Sequence, residues 1–172
     1  MSRARITYWV VFAATLAVYG AMVGWTLPAI SRDAGGLVPF DMRPMGYSVA
    51  EARAFLAALG AEGRALYLGP QHALDLVYPA LLAVVLIGAV CALIGPVSLR
   101  WGLALMALGG MAADYLENAR VGAMLRHDGA ITDAMITAAS RATQVKAGLS
   151  TVVILAVCAG LALAAWKKWR KT

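Results

Sequence analysis

The sequence predicts an all-α, polytopic membrane protein: a four-transmembrane-helix bundle with a short helical outer lid, in a single membrane domain over residues 1–172. Three observations predict it. Of the residues, 62% are apolar and only 14% charged, against roughly 25% charged in an ordinary soluble domain; the mean hydropathy is +0.74. Uncharged runs of bilayer length recur along the chain. Lys and Arg gather at those ends of the runs that fall on one side of a membrane. The composition excludes a water-soluble globule, and the apolar surface carried throughout excludes disordered, collagen-like and disulfide-scaffold classes.

A hydrocarbon layer roughly 30 Å thick needs about 20 apolar residues at about 1.5 Å each. The first span, about residues 6–30, meets this with 25 uncharged residues from Ile6 to Ile30. The basic start MSRAR raises the alternative of a signal peptide, but the run exceeds the roughly 7–15 residues of such a peptide's apolar core and no small-x-small cleavage site follows. An uncleaved anchor is expected. Gly20 and Gly24 form a GxxxG pair, repeated by Ala156 and Gly160 in the last span, which predicts close helix packing within the chain ahead of homodimerisation.

Residues 31–71 form the outer lid, which at about 40 residues is too short for a core of its own and has to pack on the bundle. Gly35, Gly36, Pro39 and Pro44 make its first part irregular. Ser48 and Glu51 fit a capping box that opens a helix running through Leu59 and closed by Gly60. Ala52, Phe55, Leu56 and Leu59 share one face of it, so this helix lies on the membrane surface or caps the bundle. A second short helix runs from Ala61 to Leu68, where Gly69-Pro70 breaks it.

The second span, about 73–95, contains 20 uncharged residues from Leu76 to Gly95 and stops at Gly95-Pro96, with a tight link to Arg100. The third, about 100–122, is different. Trp101 to Ala113 gives 13 uncharged residues before Asp114, Glu117, Asn118 and Arg120 arrive, which reads as a helix with a polar outer end. His127-Asp128-Gly129-Ala130 then reads as a tight turn, Thr132 as a helix cap, and Ala147 to Trp166 as the 20 uncharged residues of a fourth span over about 143–166.

The charge distribution orients the bundle. With both termini cytoplasmic, the inner face carries seven basic residues (Arg3, Arg5, Arg100, Lys167, Lys168, Arg170 and Lys171) and no acid, while the other eight basic residues and all nine acids lie outside. The net charge of +6 thus divides into +7 inside and −1 outside. A bacterial inner membrane is the expected location, and Trp9, Trp25, Trp101, Trp166 and Trp169 sit near span ends as interfacial aromatic belts do.

The pattern Asp41-x-Arg43-x-x-Gly46-Tyr47-Ser48-x-x-Glu51-Ala52, then Leu59-Gly60-x-x-Gly63-Arg64-x-x-Tyr67, Asp75, Pro79, Asp114-x-x-Glu117-Asn118 and Lys146, covers about half of the chain. It resembles a group of small uncharacterised bacterial four-span membrane proteins. The resemblance implies the architecture and carries no activity with it.

Ionisable residues within spans cost roughly 2.5–3.5 kcal/mol each at mid-membrane and are functional candidates. Asp114, Glu117 and Asn118, spaced i, i+3, i+4, share one helix face. His72 and Asp75 start the second span at similar depth. In a straight hairpin centred on residues 127–130, positions whose numbers sum to about 258 lie level, which brings the fourth helix's cations alongside. Arg141, Gln144 and Gly148 share one face of that helix, and Thr143, Lys146 and Ser150 another. The expected pairing is Arg141 with Glu117, which leaves Lys146 to reach Asp75 or a lipid phosphate; Arg126 and Asp133 fall level as an exposed pair. Glu117, Asp114, Asp75 and His72 are thus the candidate catalytic groups, and Asn118, Arg141, Lys146, Arg120, Arg64 and Tyr67 the candidate ligand-binding ones.

Two readings of this cluster compete. In one, its members satisfy each other and fix helix register; in the other, they form a site for a proton, a metal ion or a headgroup. The spacing lacks any recognisable metal motif, and no GxSxG, Walker A or dinucleotide-binding signature is present, so no metal or cofactor is expected. Cys91 and Cys158, without a CxxC, read as inert core residues. Basic residues interspersed with acids argue against nucleic acid. The tail Lys167-Lys168-Trp169-Arg170-Lys171 reads as a headgroup anchor. Membrane lipids, and a protein partner or second copy, are the expected partners. The function expected is lipid or partner binding by an accessory membrane protein. The alternative is a membrane-embedded enzyme using Glu117 or Asp114 as acid–base on a lipid-linked or apolar substrate, with Arg64, Arg120 or Arg141 holding an anionic group. A third, proton- or ion-coupled transport, finds few polar residues in the inner halves of the spans.

Overall fold

A computed structural model describes residues 2–127 and 129–170. All of its regular structure is helical, in five helices joined by short links. Helix α1 runs Arg3–Asp33, α2 Val49–Ala58, α3 Ala61–Leu93, α4 Val97–Arg126 and α5 Asp133–Trp169, with a 3-10 turn at Phe40–Met42 between α1 and α2. Helices α1, α3 and α5 are long and apolar enough to cross a membrane. Helix α4, at 30 residues, is nearly as long, but its polar run from Asp114 to Arg120 leaves it outside those three, so the expected third span is not among the helices apolar enough to cross.

The bundle is apolar on the outside. Val10, Leu16, Val84, Leu105, Leu155 and Leu163 are among many large apolar side chains left exposed, whereas Asp75, Asp114, Glu117, Asn118 and Thr143 are buried. That inversion suits a hydrocarbon solvent, in which polar groups must find partners inside.

Helix α3 is central, packed by α1, α4 and α5, and the longest seam runs between α4 and α5. Pro96 starts α4 after the link at Ile94, as the Gly95-Pro96 signal predicts. Thr132 caps α5 by accepting from the Met135 N–H at 3.3 Å. The predicted Arg126–Asp133 pair does not form, because Arg53 of α2 reaches Asp133 at 2.7 Å. The predicted turn at His127–Ala130 has Asp128 outside the described residues, as is Lys171 of the basic tail.

Two long helices pass the points where the sequence predicts ends. α3 does not break at Gly69-Pro70: a π-helical turn over Tyr67–Gln71 carries it through. Such a turn shifts the hydrogen-bond register by one residue and accommodates the missing proline N–H. α1 contains a similar turn at Met22–Thr26 and runs on to Asp33. The two π-turns face each other across the α1–α3 contact, where the Thr26 hydroxyl donates to Gln71 Oε1.

The lid caps the bundle. Its capping box is present: the Glu51 N–H donates to Ser48 Oγ at 3.2 Å, and the Ser48 N–H and hydroxyl each donate to Glu51 Oε2 at 2.7 Å. Those bonds hold the Glu51 carboxyl below the usual carboxylate range. Phe40, Tyr47, Ala52, Phe55 and Leu59 bury themselves against Val121, Met124 and Leu125 of α4 and Ile136 and Ala139 of α5. Phe40 and Phe55 meet edge to face at 4.9 Å.

The small-residue readings divide. Gly160 packs within the chain, where a Cβ would sit 3.0 Å from Leu93 Cβ. Gly20 and Gly24 face open space with nothing within 4 Å, so the first GxxxG pair makes no intramolecular helix contact. Cys91 and Cys158 are exposed on the bundle exterior rather than in its core.

Candidate functional site

The α4 face Asp114–Glu117–Asn118 turns inward, and Glu117 has no exposed surface. Facing it on α5 is the stripe Thr143–Lys146–Ser150. The Thr143 hydroxyl donates to Glu117 Oε1 at 2.5 Å, Lys146 Nζ pairs with Glu117 Oε2, and the same ammonium stands 3.6 Å from Asp114 Oδ1. The hairpin register agrees with the sequence to about two residues, since 117 pairs with 143, and 114 with 146.

The face was misjudged. Arg141 is exposed and does not meet Glu117; Lys146 takes that role and pairs with Glu117 and Asp114 rather than with Asp75. The lid sets the rotation of α5. Ser140 Oγ accepts the Tyr47 N–H at 2.9 Å, and Gln144 Nε2 donates to the Met45 carbonyl at 2.9 Å. With that stripe held under the lid, Thr143 and Lys146 turn toward α4.

Asp75 enters the cluster from α3 by a relay of amides. Gln71, held by Thr26, donates through Nε2 to Asp75 Oδ2 at 2.9 Å. Asn118 Nδ2 donates to the Asp75 carbonyl at 3.0 Å, and the Tyr115 hydroxyl to the Leu76 carbonyl at 3.0 Å, which ties α4 to α3. His72 is half-buried beside Tyr67, Asp75 and Asn118 around a void of about 10 Å³, room for a single water and no ligand.

A fourth acid comes from the lid. Asp41, in the 3-10 turn, points its carboxyl down into the bundle, where Oδ2 is buried without a hydrogen bond. Burial first, and then the neighbouring Glu117 carboxylate, push its pKa up to about 7, with Lys146 and the Tyr67 hydroxyl acting in the opposite sense. The buried Tyr47 and Tyr67 hydroxyls lie in the same layer. Burial, reinforced by Glu117, raises the Tyr47 pKa. Sequence reasoning placed Asp41 in the lid and missed its role, as it missed Thr143, Gln71 and Thr26. The available signal was one acid in a loop between Pro39 and Pro44, flanked by aromatic Phe40 and Tyr47.

These groups surround a cleft of about 230 Å³ with a polar floor of Asp41, Asp75, Asp114 and Lys146, and apolar walls of Tyr19, Met22, Val23, Leu27, Met42 and Tyr78. Lys146 on α5 and Tyr19 and Val23 on α1 stand on opposite sides of it. Tyr19 and Tyr78 stack at 5.8 Å, and Tyr19 and Val23 are exposed on the bundle exterior. Glu117 lies beneath Lys146 and does not line the cleft.

The arginines predicted to bind a ligand are engaged elsewhere. Arg64 donates to the Leu125 carbonyl near the end of α4, and Arg120 to the Ala138 carbonyl at 2.6 Å. Both pin helices to one another, and Arg64 satisfies a carbonyl in the last turn of α4, where no helical N–H follows to bond it. Among the described residues, no three His, Cys, Asp or Glu side chains gather closely enough to share a metal ion. The site therefore combines buried acids, one engaged ammonium and hydroxyls, an arrangement able to hold protons or hydrogen-bond donors. Comparison of the chain with protein-family models, with curated proteins and with solved structures finds no match.

Proposed function

We propose that this chain is a four-span inner-membrane protein, with both termini cytoplasmic, that binds an amphiphilic, lipid-type molecule by seating its polar end in the cleft between α1 and α5. One observation carries the reading: a polar floor inside the bundle meets apolar walls that continue onto the exposed exterior at Tyr19 and Val23. A ligand with a polar head and an apolar tail matches both surfaces at once, and pockets between bundle helices are common ligand sites.

Native mass spectrometry of the chain extracted in a mild neutral detergent tests this. We expect one amphiphile retained per chain, and its loss in Val23→Trp, which fills the cleft from one wall. A chain released bare under conditions that preserve its fold would overturn the reading. A second reading, acid–base catalysis on such a molecule, is supported by Asp41, whose pKa of about 7 suits a proton-transfer group beside Asp114. Turnover of a lipid extract that stops in Asp114→Asn would favour it over simple binding.

A further inference from the structure

The cleft's chemistry also selects the head of its ligand, an inference that rests on the amphiphile-binding reading. Four carboxyls, from Asp41, Asp75, Asp114 and Glu117, meet in this layer, with Lys146 as the one cation lining the cleft among the described residues. That ammonium is already engaged by Glu117 and Asp114. Arg64 and Arg120 are bonded to carbonyls, and Arg141 is exposed on another face. A phosphate or carboxylate head would enter an acidic cleft with no free cation to receive it, at a steep desolvation cost.

The acids retain unused capacity. Asp75 and Asp114 are 6% and 8% exposed as residues, and both line the cleft. Asp75 accepts from Gln71 through Oδ2. Asp114 is held by Lys146 at Oδ1 and by the Asn118 amide. Asp41 Oδ2 is buried with no hydrogen bond. A buried oxygen such as Asp41 Oδ2 is costly unless something donates to it. An alkylammonium offers three N–H donors on one atom, whereas a metal ion needs ligands gathered more tightly than these. The walls add the stacked Tyr19–Tyr78 pair, whose rings attract a cation, and Met22, Val23 and Leu27, which suit an alkyl chain.

We propose that the cleft binds the protonated primary amine of an amphiphile, with the ammonium donating to Asp41, Asp75 and Asp114 and the alkyl chain lying along Tyr19, Val23 and Tyr78.

The test uses the full chain in a neutral maltoside detergent at pH 7.5, with n-dodecylamine, n-dodecanol and dodecyl phosphate as probes, read by titration calorimetry and native mass spectrometry. We expect one dodecylamine per chain, held at least tenfold more tightly than either other probe, and no retention of n-butylamine, which lacks the tail. Asp41→Asn and Asp75→Asn should each weaken the amine by roughly tenfold, about 1.4 kcal/mol. Glu62→Gln, an exposed acid away from the cleft, should leave it unchanged, and Val23→Trp should abolish it. Should Asp75→Asn fail to fold by circular dichroism, Asp41→Asn on the lid decides alone. Equal or tighter retention of dodecanol or dodecyl phosphate, lost in Val23→Trp, would overturn the amine selectivity and leave the amphiphile reading standing. Retention of no probe would remove both. Amine binding unaffected by Asp41→Asn, or persisting in Val23→Trp, would place the amine elsewhere and overturn the proposal.

Discussion

Glu117 and Lys146 show how the interior of this bundle handles charge. Glu117 is fully buried, with Thr143 on one oxygen and Lys146 on the other. Removing one partner of such a pair strands the other charge, at about 3–5 kcal/mol. Lys146→Met should therefore lower the melting temperature in detergent by roughly 10 °C, on a scale of about 2–4 °C per kcal/mol. Glu117→Gln in the same chain should recover most of the loss, because two neutral side chains strand nothing. A single variant as stable as the double would remove the structural role of the pair. Asp41 behaves in the opposite sense. Its carboxyl, raised from an ordinary 3.8 to about 7, holds a proton in the folded chain that the unfolded chain has already released. Stability should fall as pH rises from about 4 to about 7, then level off. The check is the melting temperature between pH 5 and pH 8: Asp41→Asn should flatten part of that slope, and an identical slope in the variant would locate the effect in other groups.

At the scale of helices, what was legible in the sequence was whatever depends on local chemistry or on simple geometry. The Ser48–Glu51 capping box, the Thr132 cap, the stop at Gly95-Pro96 and the α4–α5 register all follow from neighbouring residues or from 1.5 Å per residue. The inward face Asp114–Glu117–Asn118 was legible for the same reason. The rotation of α5 was not, because two polar stripes compete along it and the choice is made by Tyr47 and Met45, some 100 residues distant in sequence. That docking also requires Gly46, whose φ of +82° and Cβ position 2.6 Å from Gln144 Nε2 exclude a side chain. Nor was the passage of α3 through Pro70 legible, since it needs a π-turn that α1 supports from outside. Close approach separates the glycines in turn. Gly88 meets Tyr8, where a Cβ would lie 2.6 Å from the ring, and the Tyr8 hydroxyl is itself bonded to the Val85 carbonyl at 3.3 Å. Gly88→Val should push α1 off α3 and destabilise the chain by about 1–3 kcal/mol, as overpacking does. Gly20→Val and Gly24→Val should leave the monomer's melting temperature within about 1 °C, since nothing is near them. Comparable losses at Gly20 and Gly88 would mean that the α1 exterior is packed after all.

For the whole molecule, the two ends of the bundle differ in kind. Among the described residues, the lid end gathers every acid, the 3-10 turn and the polar cluster. The other end carries Arg3, Arg5, Arg100, Lys167, Lys168 and Arg170, with no acid among them. Arg100 Nε donates to the Ile94 carbonyl at 2.5 Å, holding the α3–α4 link, and Arg170 stacks on Trp166 at 5.4 Å. An excess of Lys and Arg marks the cytoplasmic side of a multispan protein. If that rule holds here, the cleft's carboxylates face the other leaflet, and topology decides from which side the proposed ligand arrives. In a background with Cys91 and Cys158 replaced by Ser, a cysteine at Met45, which is 86% exposed on the lid, should react with a membrane-impermeant maleimide in intact spheroplasts. A cysteine at Lys168 should react only after the membrane is opened. Reversed labelling would invert the protein and place the cleft in the cytoplasmic leaflet, while labelling of both sites in sealed cells would mean that α4, the least apolar of the long helices, does not cross.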